Sequence, residues 1–238
     1  MLWTLLFSLI IAAEPPPAQK QVLDDILARA DKANQTAMDS LKNYSYEFTE
    51  KMVFNELDKN GNAKKADTTI TLVIIKNGEE TSRKILYSTS GEKDKPEKEN
   101  NTKKDDDHEV SVGISGELSP DNPDYTYGLI DSTDRDYVIS VTPKKAKPDE
   151  GQVKGNYYID KKSFLYRSMD VEIPRPQRAK EMKMRIDFRQ LPEGPFVMTN
   201  MSMLGRAKAL LGIIDIRFKV VGEFYDYRVI NQETVKGE

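Results

Sequence analysis

From Tyr44 onward, apolar and polar residues alternate. Tyr44, Tyr46, Phe48, Met52 and Phe54 fall on one side of an extended chain, and Glu47, Thr49, Lys51 and Asn55 on the other. A period of two marks a strand with one buried face. The clearest example is Val153–Ile173, where aromatic and β-branched runs flank a polar turn at Asp160–Ser163 and read as a hairpin. Similar runs occur at Thr68–Lys76, Arg83–Ser88, Tyr125–Leu129, Tyr137–Val141, Met182–Phe188, Phe196–Met203, Ile213–Val221 and Glu223–Val229. The pattern predicts ten or eleven strands in one large antiparallel sheet, and a sheet of that size curls toward a barrel, which hides its edges.

Ahead of the strands the period is helical. Val22, Leu23, Ile26, Leu27, Ala30, Ala33, Met38 and Leu41 recur at steps of mostly three and four, with Asp24, Asp25, Lys32 and Asp39 opposite. This predicts one amphipathic helix over about 19–42, packed on the sheet or plugging it. Asp58–Asn62 supplies turn chemistry between two strands. It has the outline of a calcium loop, but its glycine comes too early and Thr69 stands where a bidentate glutamate is needed.

Two stretches break the pattern. Leu2–Ala13 is a short apolar run ending in two alanines and followed by Glu14 and three prolines, the outline of a secretory signal peptide and too short for a membrane span; no basic side chain precedes the run, and an uncleaved amphipathic or buried N-terminus is the alternative. The expectation is a signal over 1–13, a single β domain over 14–238, and a mature chain in the periplasm or secreted. Gly91–Glu109 carries thirteen charged side chains in the eighteen residues after Gly91 and no large apolar group. Such a segment cannot offset its ordering entropy by burial and is expected to be a solvated loop. His108, the only histidine, ends that loop beside three aspartates. One histidine does not make a metal site, and no metal or cofactor is expected. Val110–Leu118 is ambiguous, and Pro120–Pro123 is a turn-rich link.

Composition narrows the function classes. With 238 residues, 38% of them hydrophobic, the chain is long enough for a sizeable core, while a net charge of −3 and a pI near 5.5 offer no general attraction to nucleic acid or to an anionic membrane. The absence of cysteine removes disulfides, a thiol nucleophile and a lipoprotein acylation site. Gly113–Gly116 lacks the spacing of a nucleophile elbow, no phosphate-cradling glycine loop occurs, and no carboxylate pair stands out by spacing. A non-enzymatic role is expected. Six of the nine methionines fall in Met169–Met203, and these unbranched, polarizable side chains suit either an irregular core or a surface that adapts to acyl chains. Arg175, Arg178, Lys180, Lys183, Arg185 and Arg189 make the same region basic, which suits a solvated face or an anionic headgroup at a cavity mouth.

The order of these elements, with YSYEFTEKMVFNELDKNGNAKK, a charged insertion, and then YVISVTPKK followed by VKGNYYIDKKSFLYRSMDVEI, resembles the superfamily of LolA-like and LolB-like carriers. The resemblance is clearest over 136–228, where Thr142–Lys144 precedes Tyr157, Tyr158, Ile159, Asp160, Tyr166 and Arg167. It implies an incomplete, strongly curved antiparallel barrel closed by helices, with acyl chains of a lipid or lipoprotein held in its apolar hollow. Gly91–Gly116, where lid helices are expected in that superfamily, has no apolar stripe, and no arginine here matches the family's gating arginine. An envelope-sensing module of the RseB type, with a protein partner, has the same fold and is the alternative; an unidentified hydrolase is a third.

Alternation then assigns the hollow. Tyr46, Phe48, Met52, Leu72, Ile74, Ile139, Val141, Tyr158, Met184, Ile186, Met201, Met203, Ile216 and Phe218 are expected to line it, while Glu47, Lys51, Arg185, Asp187 and Arg217 face water. A one-residue slip in any strand exchanges the two sets. A monomer that binds lipid or lipoprotein acyl chains is expected, with no nucleic acid partner.

Overall fold

The structure, a computed structural model, describes residues 17–89, 118–149, 152–173, 181–192, 194–209 and 214–230. The expected signal segment, the charged Gly91–Glu109 stretch with His108, and Arg175, Arg178 and Lys180 lie outside those residues.

Helix α1 (Pro17–Ser40) passes through a short 3-10 turn (Leu41–Asn43) into β1 (Tyr46–Leu57), β2 (Ala63–Lys76) and β3 (Glu79–Ser88). The chain continues through β4 (Tyr125–Ser132), β5 (Asp136–Pro143), β6 (Lys154–Asp160), β7 (Tyr166–Ile173), β8 (Glu181–Gln190), β9 (Phe196–Ala209) and β10 (Ile214–Val229). All ten strands form one curved antiparallel sheet, in the order β3-β2-β1-β10-β9-β8-β7-β6-β5-β4, that does not close. β3 and β4 are its edges. The two C-terminal runs, read as separable in the sequence, are one strand. Gly222 does not break it, because the missing side chain leaves room that the Met52 sulfur and the Phe224 ring occupy.

The turns follow their sequence chemistry. Asp58 Oδ1 accepts from the backbone N–H of Asn60 (2.8 Å) and Asn62 (2.9 Å), and Gly61 takes the positive φ of 87° that the turn requires. These donors, Asn62 first, hold the Asp58 carboxyl below its usual range. At the β6–β7 turn, Asp160 Oδ1 accepts from the backbone N–H of Lys162 and Ser163 and from the Ser163 hydroxyl.

Leu23, Ile26, Leu27 and Ala30 of α1 are buried in one cluster with Tyr125, Ile139, Val141, Tyr157, Ile159, Met169, Val171, Met184 and Ile186. Burial of each large apolar side chain contributes about 1.5–3 kcal/mol, which fixes the helix on this half of the sheet. Val22 and Met38, expected in the apolar stripe, are instead 53% and 38% exposed, because they fall on the flanks of the buried face.

Asn34 latches the helix. It is buried, its Nδ2 donates to Ala30 O (2.7 Å) and Phe164 O (3.2 Å), and its Oδ1 accepts from Tyr166 N–H (3.1 Å). Arg29 lies over the Phe164 ring at 3.8 Å. The joint between helix and sheet is fixed by Ser45, whose hydroxyl accepts from Asn77 N–H (3.3 Å) and whose carbonyl accepts from Ile230 N–H (2.7 Å).

Candidate functional site

The face that α1 covers, here the inner face, is apolar from β4 to β10 and turns mixed toward β2 and β3, and the helix occupies only part of it. The core cluster beneath α1 draws its buried side chains from β4 to β8 and from Phe196 on β9; among the described residues, none comes from β1, β2, β3 or β10. Register carries the same face onward. Met184 and Ile186 of β8 stand opposite Met203 and Met201 of β9, and these stand opposite Val220 and Gly222 of β10. Val220 and Gly222 in turn stand opposite Phe54 and Met52 of β1.

This second half divides in two. At one end Tyr46, Phe48, Phe224 and Tyr227 form a ring cluster, with centroids 5.1 Å apart for Phe48–Tyr227 and 6.2 Å for Phe48–Phe224. The Tyr227 hydroxyl donates to Met198 O at 2.5 Å. Burial pushes the hydroxyls of Tyr46 and Tyr227 up from their usual range. Val73 and Thr71 of β2 are buried beside this cluster, and Glu50, on the same face, is paired with Arg83.

Toward the other end the face is barer. Phe54 is 41% exposed and stacks on Phe218 with centroids 6.0 Å apart, while Met52, Met203, Ile216 and Phe218 are half-buried. The Phe218 ring lies flat across Gly205, where any Cβ would overlap it. The result is a strip of aromatic and thioether groups, able to receive an apolar chain by dispersion and area burial, bordered on β2 by Thr69 opposite Met52 and Asp67 opposite Phe54.

No family model matches the sequence, and no curated protein matches it. Several solved structures are similar in outline, three of them as follows. A LolA superfamily protein from Nitrosomonas europaea is 13% identical with a TM-score of 0.43, the match covering 87% of this chain and 93% of that one. An outer membrane lipoprotein-sorting protein domain from Vibrio parahaemolyticus is 11% identical with a TM-score of 0.39, covering 92% and 95%. The MucA/MucB complex from Pseudomonas aeruginosa gives 10% identity, a TM-score of 0.25, and 88% and 99% coverage. At these values the fold assignment rests on the strand pairings and helix contacts of this chain itself.

Of the residues assigned from sequence to a hollow, Tyr46, Phe48, Met52, Ile139, Val141, Met184, Ile186, Met201, Met203, Ile216 and Phe218 all lie on the inner face. They do not form one site. Ile139, Val141, Met184 and Ile186 are buried under α1, whereas Met52, Met203, Ile216 and Phe218 belong to the barer strip.

Leu72, Ile74 and Tyr158 are corrected to the opposite face. In β2 the inner positions are Thr71, Val73 and Ile75, and Val73 stands opposite Phe48. In β6 the buried residues are Tyr157 and Ile159, while Tyr158 lies 6.0 Å from the Arg185 guanidinium. Both slips occur where β-branched or aromatic residues run consecutively and alternation carries no phase. Glu47, Lys51, Arg185, Asp187 and Arg217 are on the outer face, four of them in ion pairs: Glu47–Arg228 at 3.6 Å, Lys51–Glu223 at 3.0 Å and Arg185–Asp187 at 3.3 Å.

Sequence reasoning missed Val220, Phe224 and Tyr227, which complete the inner face of β10. The signal was present as a two-residue period through Ile216, Phe218, Val220, Gly222 and Phe224, but the break read after Val221 hid it. No group of three or more His, Cys, Asp or Glu capable of holding a metal occurs among the described residues.

Proposed function

We propose that this protein is an exported, non-enzymatic carrier that holds an acyl chain of a lipid or lipoprotein on the inner face of its sheet. The observation that carries the reading is the strip of Phe54, Met52, Phe218 and Met203, which continues the buried core face beyond the reach of α1 and keeps Phe54 41% exposed. A soluble protein that leaves aromatic and methionine side chains contiguous with its core loses the stabilisation their burial would bring; an apolar ligand restores it. Each acyl methylene withdrawn from water contributes about 0.8 kcal/mol. About ten methylenes laid along the strip therefore supply roughly 8 kcal/mol against an association cost of about 4 kcal/mol or more, which gives reversible binding of the kind a carrier needs. Signal cleavage near Glu14 and residence in the periplasm complete the proposal, with the protein acting as a monomer.

The one native tryptophan, Trp3, lies in the proposed signal, so a mature chain carries none and a full-length one is cleared by Trp3→Phe. A Trp3→Phe, Phe54→Trp chain places the only indole on the strip. Saturable quenching by a brominated fatty acid, with a blue shift on binding the unbrominated one, is the expected result. No quenching at any soluble concentration, in a chain that melts like its parent, overturns it.

A further inference from the structure

Register lays the inner face out in rows that cross the strands. Met52, Gly222 and Met201 form one row, and Phe54, Val220 and Met203 the next. Glu56, Phe218 and Gly205 form the third, and Ile216 stands opposite Ala207 in the fourth. The bare strip therefore runs lengthwise along β10, from Ile216 toward Gly222, and its two ends differ.

The Gly222 end is closed. Phe224, 8% exposed, stands one row beyond, with its ring 6.2 Å from that of Phe48 and 3.1 Å from where a Cβ on Gly222 would sit. Opposite Phe224, Glu50 is largely buried against Arg83, whose other two guanidinium nitrogens donate to Glu80 at 2.9 and 3.0 Å. This end thus presents packed rings and an engaged ion pair. In front of the wall, Gly222 leaves a recess that the Met52 thioether fills, its sulfur 2.9 Å from the same Cβ position. An unbranched thioether turns aside easily, whereas a ring packed among other rings does not.

The Ile216 end is wet. Glu56, opposite Phe218, pairs with Lys64 at 3.4 Å, and Asp67, opposite Phe54, pairs with Lys65 at 2.8 Å. All four side chains reach solvent, and ion pairs this exposed are worth little, so a headgroup of either sign displaces them at small cost.

We infer that the strip admits one acyl chain methyl end first, that the methyl end seats over Gly222 in place of Met52, and that Phe224 limits the chain to about sixteen carbons. The run from Ile216 to Gly222 spans about 20 Å of antiparallel strand. An extended chain advances about 1.3 Å per carbon, from bonds of about 1.5 Å at tetrahedral angles. About ten methylenes reach Val220, and the recess admits about five more. The inference deepens the carrier proposal and rests on it.

The test is a series of saturated fatty acids of about eight to twenty carbons, below their micelle concentrations, displacing a brominated one from the full Trp3→Phe, Phe54→Trp chain. Affinity should rise about fourfold per methylene and level off at about sixteen carbons. Gly222→Ala, whose methyl group enters the recess, should bring the plateau in by several carbons while the ten-carbon acid binds as before. Direction is read in two further chains, Trp3→Phe with Ile216→Trp and Trp3→Phe with Met201→Trp. Bromine beside the carboxyl group should quench the first more strongly, and bromine at the methyl end the second. Affinity still rising at twenty carbons, a plateau unmoved by Gly222→Ala in a chain that melts like its parent, or the opposite quenching order each overturn the inference and leave the carrier standing. Absence of quenching at every chain length defeats the carrier proposal, and the inference falls with it.

Discussion

Replacing Asn34 by leucine should unlatch α1 from the sheet at a calculable cost. The two side chains are close in volume, so packing changes little, and the effect is carried by hydrogen bonds. Asn34 gives Phe164 O a donor at 3.2 Å and Tyr166 N–H an acceptor at 3.1 Å, and it is only 4% exposed. Each group left buried without a partner costs about 1–3 kcal/mol, and the leucine regains part of this by apolar burial, for a net loss of about 3 kcal/mol. In a domain of this size that lowers the melting temperature by about 6–12 °C. Thermal and urea unfolding measure it, and amide exchange at Tyr166 should accelerate more than exchange in β1 or β2. Asn34→Asp sharpens the argument. It keeps the acceptor but directs a carboxylate at the carbonyls of Ala30 and Phe164, which raises its folded-state pKa, so this variant should lose further stability as pH rises above about 4. A leucine variant within about 0.5 kcal/mol of the parent, the usual range of surface substitutions, would refute the latch.

Gly205→Val should drive the Phe218 ring off the strip, at about 1–3 kcal/mol of overpacking, and weaken fatty-acid quenching in the Phe54→Trp background; unchanged quenching would show that the ring's position is immaterial. Tyr227→Phe removes the bond to Met198 O and should cost about 1 kcal/mol in urea unfolding. Because burial raises the Tyr227 hydroxyl, the folded protein holds a proton that the unfolded chain releases above about pH 10, so stability should fall as pH rises beyond that point. Tyr227→Phe should flatten that fall, read from melting temperatures across the alkaline range.

How far the sequence could be read depended on whether each strand carried a phase. β1 and β8 alternate apolar and charged residues, so Met52 and Met184 were placed on the inner face from the pattern alone. β2 runs Thr68 to Ile75 with little but β-branched residues on both faces, and there Thr71, not Leu72, proves to be buried. The adjacent pair Tyr157 and Tyr158 gave the same ambiguity in β6. The division of the inner face into a covered and a bare half was not legible at all, since it depends on where α1 crosses the sheet. Nor was the facing of Arg206 and Arg217, which lie eleven positions apart and meet only through the β9–β10 register. The turn at Asp160–Ser163 was read correctly because its chemistry is local.

Native mass spectrometry of the purified chain tests the central claim most directly. The account predicts a population heavier than the polypeptide by the mass of one lipid, lost when Phe54 and Phe218 are both replaced by serine while the melting temperature stays near that of the parent. Polypeptide mass alone, from a parent protein purified without detergent and offered fatty acid at saturation, would contradict it.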